Sequence, residues 1–161
     1  MIRLSRAVLF AAVVFVVLYA SSARTDTGQK VEYFSSPGTL ELPFSEAVRV
    51  GDLLYLSGQI GTQGTKLDQG KVSEVKLVAG GIEAETRQTM QNIRDVLERH
   101  GSSLDRVVKC TVMLADISEW ETMSSVYVTF FPKHRPARSA LGANGLALGA
   151  RVEIECIATV G

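Results

Sequence analysis

The chain has 161 residues, which is enough for one domain of ordinary size and too few for two. With 46% hydrophobic and 21% charged residues, its composition excludes a disordered chain and a low-complexity repeat. The 17 basic and 17 acidic residues balance, and no basic block provides the electrostatic surface that nucleic-acid binding requires.

The first residues have the pattern of a secretory signal. Two arginines precede the apolar run AVLFAAVVFVVLYA, and the small residues SSA follow. The run is shorter than the about 20 residues that span a bilayer, so cleavage after Ala23 is favoured over an uncleaved membrane anchor. We expect residues 1–23 to be a signal peptide, residues 24–36 an N-terminal tail and residues 37–161 the folded domain of a periplasmic or secreted protein. Cleavage would leave 15 basic and 17 acidic residues.

The stretch SEAVRVGDLLYLSGQIG predicts two strands, Ala47–Val50 and Leu53–Ile60, joined by a hairpin turn at Gly51-Asp52. Gly58 lies inside the second strand, where a glycine weakens pairing unless something must approach the backbone closely. The following stretch, TQGTKLDQGKVSEVKLVAGG, is polar and punctuated by glycine. It is predicted to be a long loop with room for one short strand.

Two helices follow, with the buried strand DRVVKCTVMLADI between them. The segment IEAETRQTMQNIRDVLERHG has the helical period of 3.6 residues. Its periodic residues are Thr86, Met90, Ile93 and Leu97. Ser118 and Glu121 of SEWE form a capping box that predicts the start of the second helix, which is expected to end at Pro132. The side chains expected to pack from this helix onto a sheet are Trp120, Met123, Tyr127 and Phe130.

The C-terminal residues predict two strands, about 137–142 and 151–160, that form a hairpin around ANGLALGA. The final strand alternates, so Glu153 and Glu155 share one face about 7 Å apart. The hairpin would bring Arg138 beside Glu153. The order of elements predicts an α+β domain with its helices on one face of the sheet.

The pairing of Arg138 with a glutamate leaves two interpretations open. An exposed cross-strand ion pair would contribute little to stability. Alternatively, the arginine anchors the carboxylate of a small organic acid, for which its guanidinium geometry is suited, and the glutamate acts as acid or base.

Other common sites find little support in the sequence. No nucleotide-binding, zinc-protease or nucleophile-elbow motif is present, and His100 and His134 are expected at the surface. Cys110 and Cys156 could pair in an exported protein, but their apolar surroundings favour free buried cysteines, and their spacing does not indicate a metal site.

The residues YLSGQIG and PARSALGANGLALGARVEIECIA, with the order of elements, resemble the reactive intermediate deaminase A (RidA/YjgF) family from about Pro43 to Val160. This resemblance implies a chorismate-mutase-like α+β fold with two helices packed on one face of the sheet. It also implies a homotrimer with sites between subunits. The family hydrolyses 2-aminoacrylate and related enamine or imine acids to 2-oxo acids and ammonia, using neither a metal nor an organic cofactor.

The resemblance also implies roles for individual residues. Arg138 corresponds to the arginine that binds the substrate carboxylate, and Glu153 to the acid that positions the hydrolytic water. Ser57 and Gly58 correspond to the pocket-lining strand, where a ligand would lie against the Gly58 backbone. Three positions in the implied pocket depart from the family and bear on substrate choice: Phe44 replaces a common tyrosine, Ser124 a common asparagine and Ala140 a frequent cysteine.

The sequence leaves a second function open, a non-catalytic trimer that binds small carboxylates or client proteins. A different reaction in the same cleft, by a mutase or a nuclease, is a third. The expected partners are a small imino or oxo acid and further copies of the chain. Nucleic acid is not expected to bind, and a membrane only through an uncleaved N-terminal segment.

Overall fold

The structure is a computed structural model that describes residues 28–36, 42–68 and 71–161. The two helices are α1, Gly81–Arg99, and α2, Trp120–Tyr127. The strands are β1 Val31–Phe34, β2 Ala47–Val50, β3 Leu53–Leu56, β4 Gln59–Ile60, β5 Thr62–Asp68, β6 Lys71–Leu77, β7 Val107–Leu114, β8 Ala137–Gly142 and β9 Val152–Thr159. This arrangement confirms the predicted α+β class. The predicted signal peptide, residues 1–23, lies outside the described residues.

The main sheet has the order β1-β2-β3-β9-β7-β8, and β4 pairs with β9 beyond the end of β3. The β7–β8 pair is parallel because the chain returns through α2, whereas the other pairs are antiparallel. The predicted hairpin of the last two strands is therefore wrong, since β7 lies between β8 and β9. β9 takes the central position because its alternate residues are fully buried, while the more exposed β8 forms an edge.

The hydrophobic core lies between one face of the sheet and the two helices. The helices contribute Met90, Ile93, Leu97 and Met123, and β9 contributes Val152, Ile154, Cys156 and Ala158, all nearly or fully buried. The opposite face of the sheet has no cover in the described part of the chain. Large apolar side chains exposed on this open face are Val31, Tyr33, Leu53, Tyr55 and Leu141.

Local boundaries near the N-terminal half differ from the predictions in two places. β1 lies inside the segment 24–36 predicted as a tail and pairs with β2. The stretch predicted as a long loop forms a separate two-stranded sheet of β5 and β6. A hairpin outside the main sheet needs backbone pairing but no continuous apolar face. Its polar sequence therefore lacks the alternation from which strands are predicted.

The start of α2 also differs from the prediction. Ser118 is not the N-cap; its backbone N–H donates to the Asp116 side chain at 2.9 Å instead. A short 3-10 turn, Ile117–Glu119, then leads into the helix, which ends at Tyr127 and continues as a 3-10 turn rather than reaching Pro132 as a helix. None of the helices in the three described ranges is long and apolar enough to cross a membrane.

Cys110 and Cys156 form a disulfide, so the interpretation of two free cysteines is wrong. They lie directly opposite each other on β7 and β9, and both face the core. The antiparallel register brings the two sulfur atoms together across 46 residues of sequence, a contact that spacing alone cannot reveal.

We expect alkylation of the protein in denaturant without reductant to label no thiol, and alkylation after reduction to label two. The double variant Cys110→Ala/Cys156→Ala should lose about 2–4 kcal/mol of unfolding free energy, because the open chain gains conformational freedom when unfolded. Denaturant titration of both proteins measures the loss. Two thiols labelled before reduction would contradict the pairing.

Candidate functional site

Arg138 lies on β8, next to Cys110 in the parallel register, and its side chain is half-buried on the helix-facing side of the sheet. Its guanidinium carbon lies 4.9 Å from the ring centroid of Tyr127 and 5.3 Å from that of Trp120. In the residues that the structure describes, no carboxylate pairs with Arg138. Contacts with ring faces leave the N–H groups of the guanidinium free to bind an anion.

The face of α2 beside Arg138 carries two hydroxyl groups. Ser124 precedes Tyr127 by about one helical turn, and the Ser124 Oγ and Tyr127 Oη atoms are buried with no hydrogen-bond partner in the structure. Burial raises the pKa of Tyr127 to about 12, although the Arg138 charge opposes this shift. The Tyr127 hydroxyl is therefore protonated at neutral pH. Ala140, two residues after Arg138, lies on the same face of β8 and packs against the core.

Glu153 lies on the open face of the sheet, opposite Ile60 of β4 and Met113 of β7. Its side chain is half-buried. Burial raises the pKa of Glu153, and the nearby Glu155 carboxylate adds to the rise. A carboxylate with a raised pKa is a stronger base than an ordinary glutamate near neutral pH.

Gly58 is required by the Glu153 side chain. A Cβ atom at position 58 would lie 2.0 Å from Glu153 Oε1 and 2.8 Å from Cδ, far inside van der Waals contact. From the sequence, we expected a ligand to lie against the Gly58 backbone. In the structure, the Glu153 carboxylate occupies this space. A glycine between β3 and β4 thus lets the glutamate fold down on its neighbouring strand.

Ser57 joins this strand to the segment that contains Phe44. The Ser57 hydroxyl donates to the Ser45 carbonyl at 2.7 Å, and the Ser57 N–H donates to the Glu46 carbonyl at 3.0 Å. Phe44 itself is 54% exposed. Gly58, the next residue along the chain, is the one that the Glu153 side chain approaches, and Ser57, Gly58 and Glu153 are called the glutamate group below.

The glutamate group and Arg138 are not neighbours in one chain. Arg138 aligns with Cys110 and Glu153 with Met113, so the two side chains are three register positions apart, with β7 between their strands. Strand geometry puts their α-carbons roughly 14 Å apart. Alternation also places the two side chains on opposite faces of the sheet. The expectation that the last two strands hold them side by side is wrong.

Neither histidine lies in these groups. His134 is exposed as predicted, but the side chain of His100 is only 11% exposed: its ring lies 4.3 Å from that of Phe34 between centroids, and its Nε2 lies 3.0 Å from Glu46 Oε2. Arg99 donates to the other oxygen of Glu46 at 2.7 Å. This cluster joins the end of α1 to β1 and β2. No three His, Cys, Asp or Glu side chains in the described ranges come together as a metal site.

Sequence interpretation missed the contact of Arg138 with Trp120 and Tyr127. These aromatic residues were assigned to the core, and Tyr127 is indeed buried, but Trp120 is 41% exposed. Their spacing of seven residues puts both on the same side of α2. That spacing was the available signal, but nothing local showed that β8 would bring an arginine to it.

The family model described as Endoribonuclease L-PSP matches residues 37–160. The chain belongs to this family. The Mus musculus protein named 2-iminobutanoate/2-iminopropanoate deaminase is 40% identical over 119 residues, which cover 74% of this chain and 82% of the relative. The Arabidopsis thaliana protein named Reactive Intermediate Deaminase A, chloroplastic, is 36% identical and matches 73% of this chain and 59% of the relative.

Solved structures support the same assignment. The crystal structure of RidA from Psychrobacter sp. PAMC 21119 has a TM-score of 0.66 and 31% identity, and the match covers 80% of this chain and 99% of that one. The resemblance to the RidA/YjgF family and the fold that it implied are thereby confirmed.

The prediction of a secreted or periplasmic protein is wrong. Where the relatives' names state a compartment it is an organelle: the Arabidopsis protein is chloroplastic and the Schizosaccharomyces pombe protein mmf2 is mitochondrial. The prediction rested on the pattern of residues 1–23 alone, and a local pattern does not by itself fix the compartment.

Glu153→Gln is expected to stabilise the protein at neutral pH. Because the folded-state pKa of Glu153 is raised, folding disfavours the charged form of its carboxyl group. The stability associated with the protonated carboxyl is fully present below the unfolded-state pKa and is lost as the pH rises through the folded-state pKa. The gain in melting temperature of Glu153→Gln over the parent should thus be larger at pH 7 than at pH 4. Glu98→Gln, on the exposed side of α1, is the control. An equal difference at both pH values would contradict this account.

Proposed function

We propose that this chain is a hydrolytic deaminase that converts 2-aminoacrylate-like enamine and imine acids to 2-oxo acids and ammonia. The observation that carries the proposal is Arg138, a half-buried cation with ring faces on its sides and no carboxylate partner in the described residues. Such a cation suits the carboxylate of a small acid. The name of the mouse relative, a 2-iminobutanoate/2-iminopropanoate deaminase, supports the same class of substrate.

The proposed site needs two chains, because Arg138 and Glu153 face away from each other in one. We propose a homotrimer in which Arg138 of each subunit meets Glu153 of the partner subunit. The open face supports this assembly, since Tyr33 is 72% exposed and Leu141 46% exposed on it, and large exposed apolar patches mark interaction surfaces. Burying such a face between copies of the chain is favourable by the hydrophobic effect.

The reaction can be written with few protein groups. Arg138 binds the substrate carboxylate, and protonation of the enamine at its terminal carbon gives an electrophilic iminium acid. Glu153 of the partner subunit accepts a proton from water, whose oxygen attacks the iminium carbon. The protonated Glu153 returns that proton to the nitrogen of the carbinolamine, ammonia leaves, and the hydroxyl releases its proton to water as the carbonyl of the 2-oxo acid forms. Positioning and general base assistance suffice for such a labile bond.

A second function is favoured by the substitutions around the site. Phe44 has no hydroxyl and Ala140 no thiol, while Arg138 is retained. A trimer that binds small carboxylates or client proteins without catalysis needs only the arginine. In that case Arg138→Ala should abolish ligand binding, Glu153→Ala should retain it, and the parent should show no turnover.

The test of the deaminase is to generate imino acids from several amino acids with an amino-acid oxidase, in the presence of semicarbazide as a competing trap. The parent should suppress semicarbazone formation and speed oxo-acid release. Glu153→Gln is expected to lower kcat/KM by about 100-fold or more, the usual contribution of a general base. Arg138→Met should act mainly through KM.

Arg135→Met is the matched control, because Arg135 is exposed only three residues before Arg138. It should keep the parent activity. If oxo-acid release is no faster than in buffer for every amino acid tested, the proposed deaminase activity is contradicted.

The site between subunits can be tested by subunit mixing. Arg138→Met chains retain Glu153, and Glu153→Gln chains retain Arg138, so a mixed trimer regains an intact pair wherever the two meet in the right order. Co-refolding equal amounts should restore about a quarter of the parent activity by random assortment. Mixing Arg138→Met with the double variant Arg138→Met/Glu153→Gln offers no intact pair and is the control. Activity that stays at the level of the single variants would contradict the shared site.

A further inference from the structure

We infer that Trp120 and Tyr127 are positioning residues that hold the Arg138 guanidinium between their rings and present its N–H groups to a carboxylate. The inference rests on the proposed function for its ligand but on the structure for its geometry. Both rings lie within the distance at which an arginine is attracted to an aromatic face, 5.3 Å for Trp120 and 4.9 Å for Tyr127.

The need for such a clamp follows from the position of Arg138. It lies on an edge strand whose flanking residues, Ala137 and Ser139, are both exposed. A long side chain at an exposed edge has many rotamers, and fixing them when a ligand binds reduces the affinity. An ion pair with a carboxylate would fix the guanidinium but would also occupy its N–H groups. Aromatic faces restrain it while leaving those groups free.

The helix that carries the two rings is itself fixed at its start. Arg151, just before β9, pairs with Glu119 through its side chain, and its backbone N–H donates to the buried Glu85 side chain at 2.8 Å. Asp116 accepts a hydrogen bond from the Ser118 N–H at the same end. These contacts join α2 to β9 and α1. The position of the aromatic pair is therefore set by the core of the domain rather than by the edge strand.

A contact of the same kind exists between α1 and the segment after α2. The Arg94 guanidinium lies 5.4 Å from the ring centroid of Phe130, just after α2. Phe130 is partly buried against the core. Phe130→Leu thus removes an aromatic ring and an arginine contact of the same kind without touching Arg138, and it reports the purely structural cost of such a change.

The experiment measures binding of 2-oxobutanoate by calorimetry, with KM and kcat for the corresponding imino acid. Trp120→Leu and Tyr127→Leu should each weaken binding about 3- to 30-fold, the range of an arginine–ring contact, and raise KM with little change in kcat. Trp120→Phe and Tyr127→Phe keep a ring and should restore most of the affinity. Phe130→Leu should lower the melting temperature but leave affinity and KM unchanged.

A spectroscopic readout tests the geometry without a ligand. The Nε–H signal of Arg138, assigned from its disappearance in Arg138→Lys, should show ring-current displacement in the parent and return to the ordinary position in Trp120→Leu. Because Trp120 is 41% exposed, this variant should fold even if Tyr127→Leu does not. An unchanged signal would overturn the inference, as would unchanged affinity of Trp120→Leu for 2-oxobutanoate. A parent that binds no 2-oxo acid, yet shows the displaced signal, would refute the proposed function and leave the clamp supported.

Discussion

The strand β9 is the constraint on which the rest of the molecule depends. It hydrogen-bonds β3 and β4 along one side and β7 along the other, so it unites both halves of the main sheet. Its strict alternation gives it one face of fully buried side chains and one face that carries Glu153 and Glu155. The register of β9 against β7, in which Cys110 lies opposite Cys156, puts the disulfide in the core and the two carboxylates on the other face. The core and the glutamate of the candidate site therefore lie on the two faces of a single strand.

This division is the reason why the proposed site draws its two charged residues from different subunits. Helices cover only one face of the sheet, and Arg138 lies on that side, against α2. Glu153 lies on the face that the helices leave open. A single chain cannot bring the two together without reversing the alternation of β8 or β9, which would expose core residues. The proposed trimer needs no such reversal, and it would also cover the apolar side chains of the open face.

The features that the sequence predicted well are those set by neighbouring residues. The helical period of Thr86, Met90, Ile93 and Leu97 defined α1, and the turn at Gly51-Asp52 defined the β2–β3 hairpin. Strand pairings between segments far apart in the chain could not be predicted from the sequence. Nothing local distinguishes β8 as a parallel partner of β7 from β8 as a hairpin partner of β9, and the Cys110–Cys156 pair depends on that same register. The residues themselves suggested Arg138 with a glutamate, and family resemblance supplied the other candidate residues. Their opposite orientation and the aromatic contacts of Arg138 follow only from the folded structure.

The close approach of Gly58 and Glu153 makes these two positions a single steric unit. The space that any side chain at 58 would need is already taken by the carboxylate of residue 153. In a related chain, a larger residue at the position of Gly58 would displace the glutamate even where the glutamate itself is present in the sequence. Under the proposed mechanism, the ability of a relative to hydrolyse imino acids therefore depends on both positions, because the residue at position 58 decides whether the carboxylate has room beside it.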